Sequence, residues 1–137
     1  MPVFANPSPS DKKRILIVDD EPSILKLLNF ILSPIYQVFT VTSGYNAHLW
    51  LEEGNMPDLI ISDMNMPHFD GQSFMKSIKI SGFYRDIPLV ILSAAEDLQM
   101  IVKEMPFTVE AFLPKPFNPE VLKNKISEIL SEDYVQH

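Results

Sequence analysis

The sequence predicts an α/β domain: a doubly wound, five-stranded parallel sheet flanked by five helices. Three observations carry this expectation. Short apolar, β-branched runs such as Ile15-Leu16-Ile17-Val18 recur along the chain, as expected of strands covered on both faces. Each run is followed by a segment whose apolar residues fall at helical spacing, so five βα units succeed one another. The chain of 137 residues suffices for one compact domain and is too short for two, and its 46% hydrophobic content supplies a core.

The elements follow in order. After the first strand, Pro22 suits a first helical position, and Ile24, Leu25, Leu27, Leu28, Ile31 and Leu32 keep helical spacing up to Pro34. Residues 36–41 read as the second strand. Thr42-Ser43-Gly44 offers capping chemistry for a second helix through Ala47, Leu49, Trp50 and Leu51, stopped by Gly54. Residues 58–62 read as strand and 71–80 as helix. Residues 87–92 read as strand, with Pro88 at its margin because proline cannot donate to a ladder. A fourth helix is expected between residues 94 and 105, a short strand at 111–113, and a last helix opened by Asn118-Pro119 and carrying Val121, Leu122, Ile126, Ile129 and Leu130.

Composition narrows the function. There are no cysteines, which excludes a disulfide framework or thiolate metal site and fits a reducing cytoplasm, the expected location. A formal charge of −7 argues against direct nucleic-acid binding, which needs a basic face, and favours recruitment of a cation. No apolar run approaches the roughly 20 residues of a membrane span, so no membrane partner is expected. The first ten residues, MPVFANPSPS, hold three prolines and two serines and lack the basic start and apolar stretch of a secretory signal. Residues 1–11 are therefore expected to form a flexible tail, 12–131 the domain, and 132–137 a C-terminal tail.

In open parallel sheets the ligand site lies beyond the carboxyl ends of the strands. Asp19 and Asp20 follow the first strand, Asp63 the third, Ser93 the fourth and Lys115 the fifth. The second strand ends in Thr42-Ser43 without an ionisable group, as suits an edge strand. Each residue alone has an ordinary reading as a helix cap, turn residue or solvated loop lysine. The fold brings all of them to one end of the sheet. Three carboxylates there repel one another and raise at least one pKa unless a cation is present. Hard oxygen donors suit Mg²⁺, which takes one or two carboxylates and keeps several waters. His48, His68 and His137 are scattered; His68 edges the site and none is given a catalytic role. A carboxylate beside Mg²⁺, with an ammonium and a hydroxyl near it, suits a phosphoryl acceptor, because aspartate can form an acyl phosphate.

Four separated motifs, VDDEP (18–22), SDMNMPHFDG (62–71), LSAAE (92–96) and AFLPKPF (111–117), resemble those of the receiver domain of two-component response regulators. The resemblance covers about residues 12–131. It implies a flavodoxin-like sheet of order 2-1-3-4-5 and a domain that assists its own phosphorylation and dephosphorylation but is not a turnover enzyme. Carried over by position, Asp63 is the phosphoacceptor. Asp20 and Asp63 bind Mg²⁺ directly, Asp19 acts through a metal-bound water, and the backbone carbonyl of Asn65 is a further ligand; Mn²⁺ is the alternative ion. Ser93 is the switch hydroxyl with the small Ala94 beside it. Lys115 pairs with the acceptor and then the phosphoryl group, and Phe112 is the aromatic that turns inward. The resemblance also implies a cis peptide before Pro116, an isomer that proline tolerates. The implied partner is a sensor histidine kinase or histidine phosphotransfer protein; the downstream effector is not named by the sequence. Asn65 and Ala95 occupy positions that tune the lifetime of the phosphoryl group.

One stretch departs from the family pattern. Many receivers carry a Gly-Ala pair before the last strand, where this chain has Pro106-Phe107-Thr108-Val109. Proline at the end of the fourth helix clashes with the preceding turn and removes a hydrogen bond, so that helix is expected to be short, shifted or irregular. The face formed by the fourth helix, fifth strand and fifth helix, which receivers use to dimerise or signal, is altered accordingly. Competing readings are weaker on the residues. A haloacid-dehalogenase-like, Mg²⁺-dependent phosphohydrolase would want a second aspartate where Asn65 stands, and a flavin or nucleotide binder would want a Gly-rich or Ser/Thr-rich phosphate cradle. A receiver-like interaction module that is never phosphorylated would keep the same fold.

Overall fold

The computed structural model describes residues 12–64, 71–94, 96, 98–105 and 107–135, with the backbone alone for 71, 72 and 132–135. Five strands, β1 (Arg14–Val18), β2 (Gln37–Val41), β3 (Leu59–Asp63), β4 (Leu89–Ser93) and β5 (Ala111–Pro114), alternate with five helices. These are α1 (Pro22–Leu32), α2 (Gly44–Glu52), α3 (Gly71–Lys79), α4 (Leu98–Lys103) and α5 (Pro119–Val135). All strand pairs are parallel and the order is β2-β1-β3-β4-β5, the flavodoxin-like arrangement expected from the sequence.

Strand alternation divides the core into two layers. Ile15, Ile17, Leu59 and Ile61 face the side that packs on Leu25 and Leu28 of α1 and Leu122 and Ile126 of α5. Leu16, Val18, Ile60 and Ile91 face the opposite side, against Leu51 of α2, Phe74 and Ile78 of α3 and Leu98 of α4. Central strands β3 and β4 are buried at every position, which is why they read as continuous apolar runs rather than as alternating ones.

Local signals act where expected. Ser43 caps α2, its side chain accepting the Asn46 N–H at 3.0 Å. The chain leaves α2 through Gly54 at φ +98°, a left-handed conformation that favours glycine. Asn118 caps α5 by accepting from the N–H groups of Glu120 (2.8 Å) and Val121 (3.2 Å), with Pro119 as the first helical residue.

Several boundaries differ from expectation. β3 extends through Asp63 and β4 through Ser93, so both residues are the last of their strands rather than the first beyond them. β4 starts at Leu89, directly after Pro88, whose carbonyl still accepts the Ile60 N–H. α5 continues to Val135, past residue 131, so 132–135 belong to the last helix rather than to a tail. The apolar spacing fades there, but Ser131-Glu132-Asp133 contains no helix breaker.

The fourth helix has six residues, ending at Lys103. Its exit tightens: the Glu104 N–H is shared between the carbonyls of Met100 and Ile101, and the Met105 N–H reaches Val102 three residues back. Pro106 itself lies outside the described residues. No helix among the described residues is long and apolar enough to cross a membrane.

Candidate functional site: an acidic crevice at the strand ends

The carboxyl ends of β1, β3, β4 and β5 converge on one crevice. Four polar residues among those described are buried: Asp19, Ser62, Asp63 and Ser93. Three of them are at the strand ends named from the sequence, so the buried polarity of the domain is concentrated here. Asp63 pairs with Leu92 in the β3–β4 ladder, and Ser93 pairs with Pro114. The Lys115 N–H donates to the Ser93 carbonyl at 2.9 Å, which fixes where the lysine leaves β5. The Lys115–Pro116 peptide is cis.

Carboxylate oxygens of Asp19, Asp20 and Asp63 lie within 4.8 Å of one another. Lys115 Nζ sits 2.8 Å from Asp19 Oδ2 and 3.6 Å from Asp63 Oδ1, so its nearest partner is Asp19 rather than Asp63. It also lies 3.0 Å from Glu21 Oε1. Glu21 was not singled out in the sequence, where a third acid before Pro22 reads as an ordinary helix-start residue. The run Asp-Asp-Glu was its only signal, and its reach to a lysine 94 positions away is a tertiary fact.

The electrostatics follow from this packing. Burial pushes the Asp63 carboxyl up from 3.8 to about 6; Lys115 opposes the shift, and the Asp19 and Asp20 charges add to it. The pKa of one of the three clustered acids is thus raised, as expected, although burial rather than repulsion among the acids is the main cause. Burial disfavours the Lys115 ammonium, but its hydrogen bonds to Asp19 and Glu21 outweigh this and raise its pKa. The lysine therefore stays charged and leaves the cluster with net negative charge.

The donor set can hold a hard cation. All three donors are carboxylate oxygens, and oxygens on opposite sides of one Mg²⁺ lie about 4.2 Å apart, so a spread of 4.8 Å needs little contraction. The acids differ in availability. Asp19 is committed, Oδ1 accepting the Glu21 N–H at 2.9 Å and Oδ2 holding Lys115. Asp20 is exposed and makes no side-chain hydrogen bond or ion pair among the described residues.

Beyond the acids, Ala94 is exposed at the rim directly after Ser93. Phe112 is 38% exposed; alternation along β5 puts it on the α4 side of the sheet, where the six-residue α4 leaves it open. Asn65, Ala95 and His68 lie outside the described residues, as does His137. His48 is away from the crevice, its Nε2 2.9 Å from Ser77 Oγ between α2 and α3.

A family model for the response regulator receiver domain matches residues 15–127. The sensor histidine kinase TmoS of Ectopseudomonas mendocina is 34% identical over 122 residues, covering 89% of this chain and 12% of that protein. The probable transcriptional regulator ycf27 of Guillardia theta is 36% identical over 120 residues, covering 87% of this chain and 46% of that protein. Among solved structures, the signal receiver domain of a signal transduction histidine kinase from Syntrophus aciditrophicus aligns with a TM-score of 0.79 at 33% identity, covering 88% of this chain and 91% of that one.

The crevice and the fold define a signalling domain of the two-component type. The chain belongs to the response regulator receiver domain family. It spans less than half the length of these two curated relatives.

Proposed function

We propose that this domain accepts a phosphoryl group on Asp63 from the phosphohistidine of a sensor histidine kinase or a histidine phosphotransfer protein, and signals by changing conformation. The observation that carries the reading is the Asp63 carboxyl itself. It is buried at the end of the central strand, clustered with Asp19 and Asp20 and within 3.6 Å of an ammonium.

In the transfer, an Asp63 carboxylate oxygen attacks phosphorus and forms the new O–P bond. The P–N bond of the donor breaks, and the imidazole keeps the electron pair and takes a proton from solvent. Mg²⁺, with Mn²⁺ as alternative, supplies positive charge that offsets the carboxylates and the phosphoryl oxygens when bound. Asp20 and Asp63 would be the direct side-chain ligands, the uncommitted state of Asp20 favouring that role. Asp19 would act through a metal-bound water, and by the family resemblance the backbone carbonyl of Asn65, outside the described residues, would complete the protein's share. Ser93 donates its hydroxyl to one phosphoryl oxygen, Lys115 offers its ammonium to another, and the small Ala94 leaves room for the group.

Phe112, open to solvent in this conformation, turns inward as Ser93 moves, and the α4–β5–α5 face reports the change to an effector or a second copy. The domain assists its own phosphorylation and hydrolysis, turns over no outside metabolite, and acts in the cytoplasm.

The test is intact mass after incubation with acetyl phosphate and Mg²⁺. A single phosphate adduct in the wild type, lost with EDTA and in Asp63→Asn, is expected. Absence of any adduct would favour an interaction module that is never phosphorylated, and steady hydrolysis of a phosphomonoester would favour a phosphohydrolase.

A further inference from the structure

Glu21 stands at the start of α1, where its carbonyl accepts the N–H groups of Ile24 (3.0 Å) and Leu25 (3.2 Å). At this position a short polar side chain such as Ser or Asp accepts from the first free N–H groups of the helix. The Glu21 carboxylate makes no such bond. It reaches across the crevice instead, and Oε1 accepts from Lys115 Nζ at 3.0 Å. Its own N–H is held by Asp19 Oδ1 at 2.9 Å, so the backbone that aims this side chain is fixed by an acid of the site.

An ammonium has three N–H donors. At Lys115 the closest acceptors are Asp19 Oδ2 at 2.8 Å and Glu21 Oε1 at 3.0 Å, while Asp63 Oδ1 at 3.6 Å is beyond hydrogen-bond length. The two closer partners differ in setting. The Asp19 side chain is 3% exposed, whereas that of Glu21 is 57% exposed. Of the two contacts, the one to Glu21 is the more screened and the easier to give up.

We propose that Glu21 is a positioning residue that competes for Lys115, holding the ammonium toward the start of α1 and out of hydrogen-bond reach of Asp63. This rests on the reading of Asp63 as phosphoacceptor. When Asp63 carries a phosphoryl group, Lys115 leaves Glu21, keeps Asp19 and serves a phosphoryl oxygen. Glu21 thereby sets how readily the lysine is released, and so how tightly the site holds a phosphoryl group. Glu21 is not among the three clustered acids, and saturating Mg²⁺ removes any difference in metal occupancy from the binding comparison.

Two readouts test this on the full chain. The first is the crystal structure of Glu21→Gln: Lys115 Nζ is expected to close on Asp63 to hydrogen-bond length, and an unchanged 3.6 Å separation overturns the proposal. The second is calorimetric binding of beryllofluoride, a phosphoryl analogue, at saturating Mg²⁺. Glu21→Gln is expected to bind it roughly two- to five-fold more tightly, the range of an exposed ion pair. That gain is expected to vanish when Lys115→Met is also present. Equal tightening in both backgrounds would mean simple removal of a negative charge and would overturn the proposal, as would no tightening at all. If Lys115→Met fails to fold, Lys115→Gln serves, because it likewise removes the cation for which Glu21 competes while keeping a polar side chain. Failure of the wild type to bind beryllofluoride would instead remove the acceptor reading of Asp63, whatever the lysine does in the Glu21→Gln crystal.

Discussion

On one side of the crevice, β1 beyond Arg14 and the whole of β3 are buried, and Asp19 and Asp63 are held by strand register, a half-buried lysine and a fixed backbone. On the other side α4 has six residues, and Met100 at 62%, Val121 at 43% and Phe112 at 38% are open to solvent. The contrast separates two tasks. Groups that must be aimed within a fraction of an ångström sit on strands with packing on both faces. Phe112, the ring proposed to turn, sits where fewer side chains cover it, and regions with few buried contacts open at least cost. On the proposed reading, a change of charge at Asp63 meets buried strands toward β1 and the exposed ring of Phe112 toward α4.

The largest effect is expected from cutting into the packed side. Ile61→Ala, at a residue 1% exposed, is expected to cost roughly 2–5 kcal/mol in urea unfolding. A cost below about 1 kcal/mol would show that the β3 core is not close-packed. Lys115→Met comes next. It leaves Asp19 buried without its ammonium and is expected to cost about 1–3 kcal/mol in metal-free protein. Added Mg²⁺ is expected to return part of that loss by binding the folded state only.

A pH series separates burial of charge from burial of bulk. The Asp63 pKa in the folded chain, about 6, lies above the ordinary 3.8. Between those values the folded state binds the extra proton, so the Asp63 contribution to the stability of metal-free wild type is expected to fall as pH rises through that window and to stay at the lower level above it. Asp63→Asn carries no such proton. It is expected to melt with the wild type near pH 4 and a few degrees above it at pH 7.5. Identical melting at both values would mean that the Asp63 carboxylate carries no burial cost. The smallest effect belongs to the open side: Met100→Ser is expected to change stability by less than about 0.5 kcal/mol. A cost several times larger would show that α4 is packed against something the contrast leaves out.

Most of the frame was legible because its causes are local. Apolar runs marked the strands, Ser43, Gly54 and Asn118-Pro119 marked helix ends, and α4 is short as expected. The site was legible through topology, since parallel βα units bring the strand ends together however far apart they lie in sequence. What stayed hidden depends on side-chain reach or on the absence of a signal. Glu21 looks like any acid at a helix start until Lys115 is seen beside it, and nothing local says that Lys115 lies closer to Asp19 than to Asp63. The last turn of α5 was missed because polar residues without a breaker mark neither a helix nor its end.

The most direct measurement is where the phosphoryl group goes. Protein incubated with acetyl phosphate and Mg²⁺ is treated with hydroxylamine, which converts an acyl phosphate to a stable hydroxamate, and its peptides are mapped by mass. Modification confined to Asp63 is the expected result. Modification at Asp20 or Glu21 with Asp63 untouched, or none at all in protein that binds Mg²⁺, would contradict the assignment of Asp63 as acceptor.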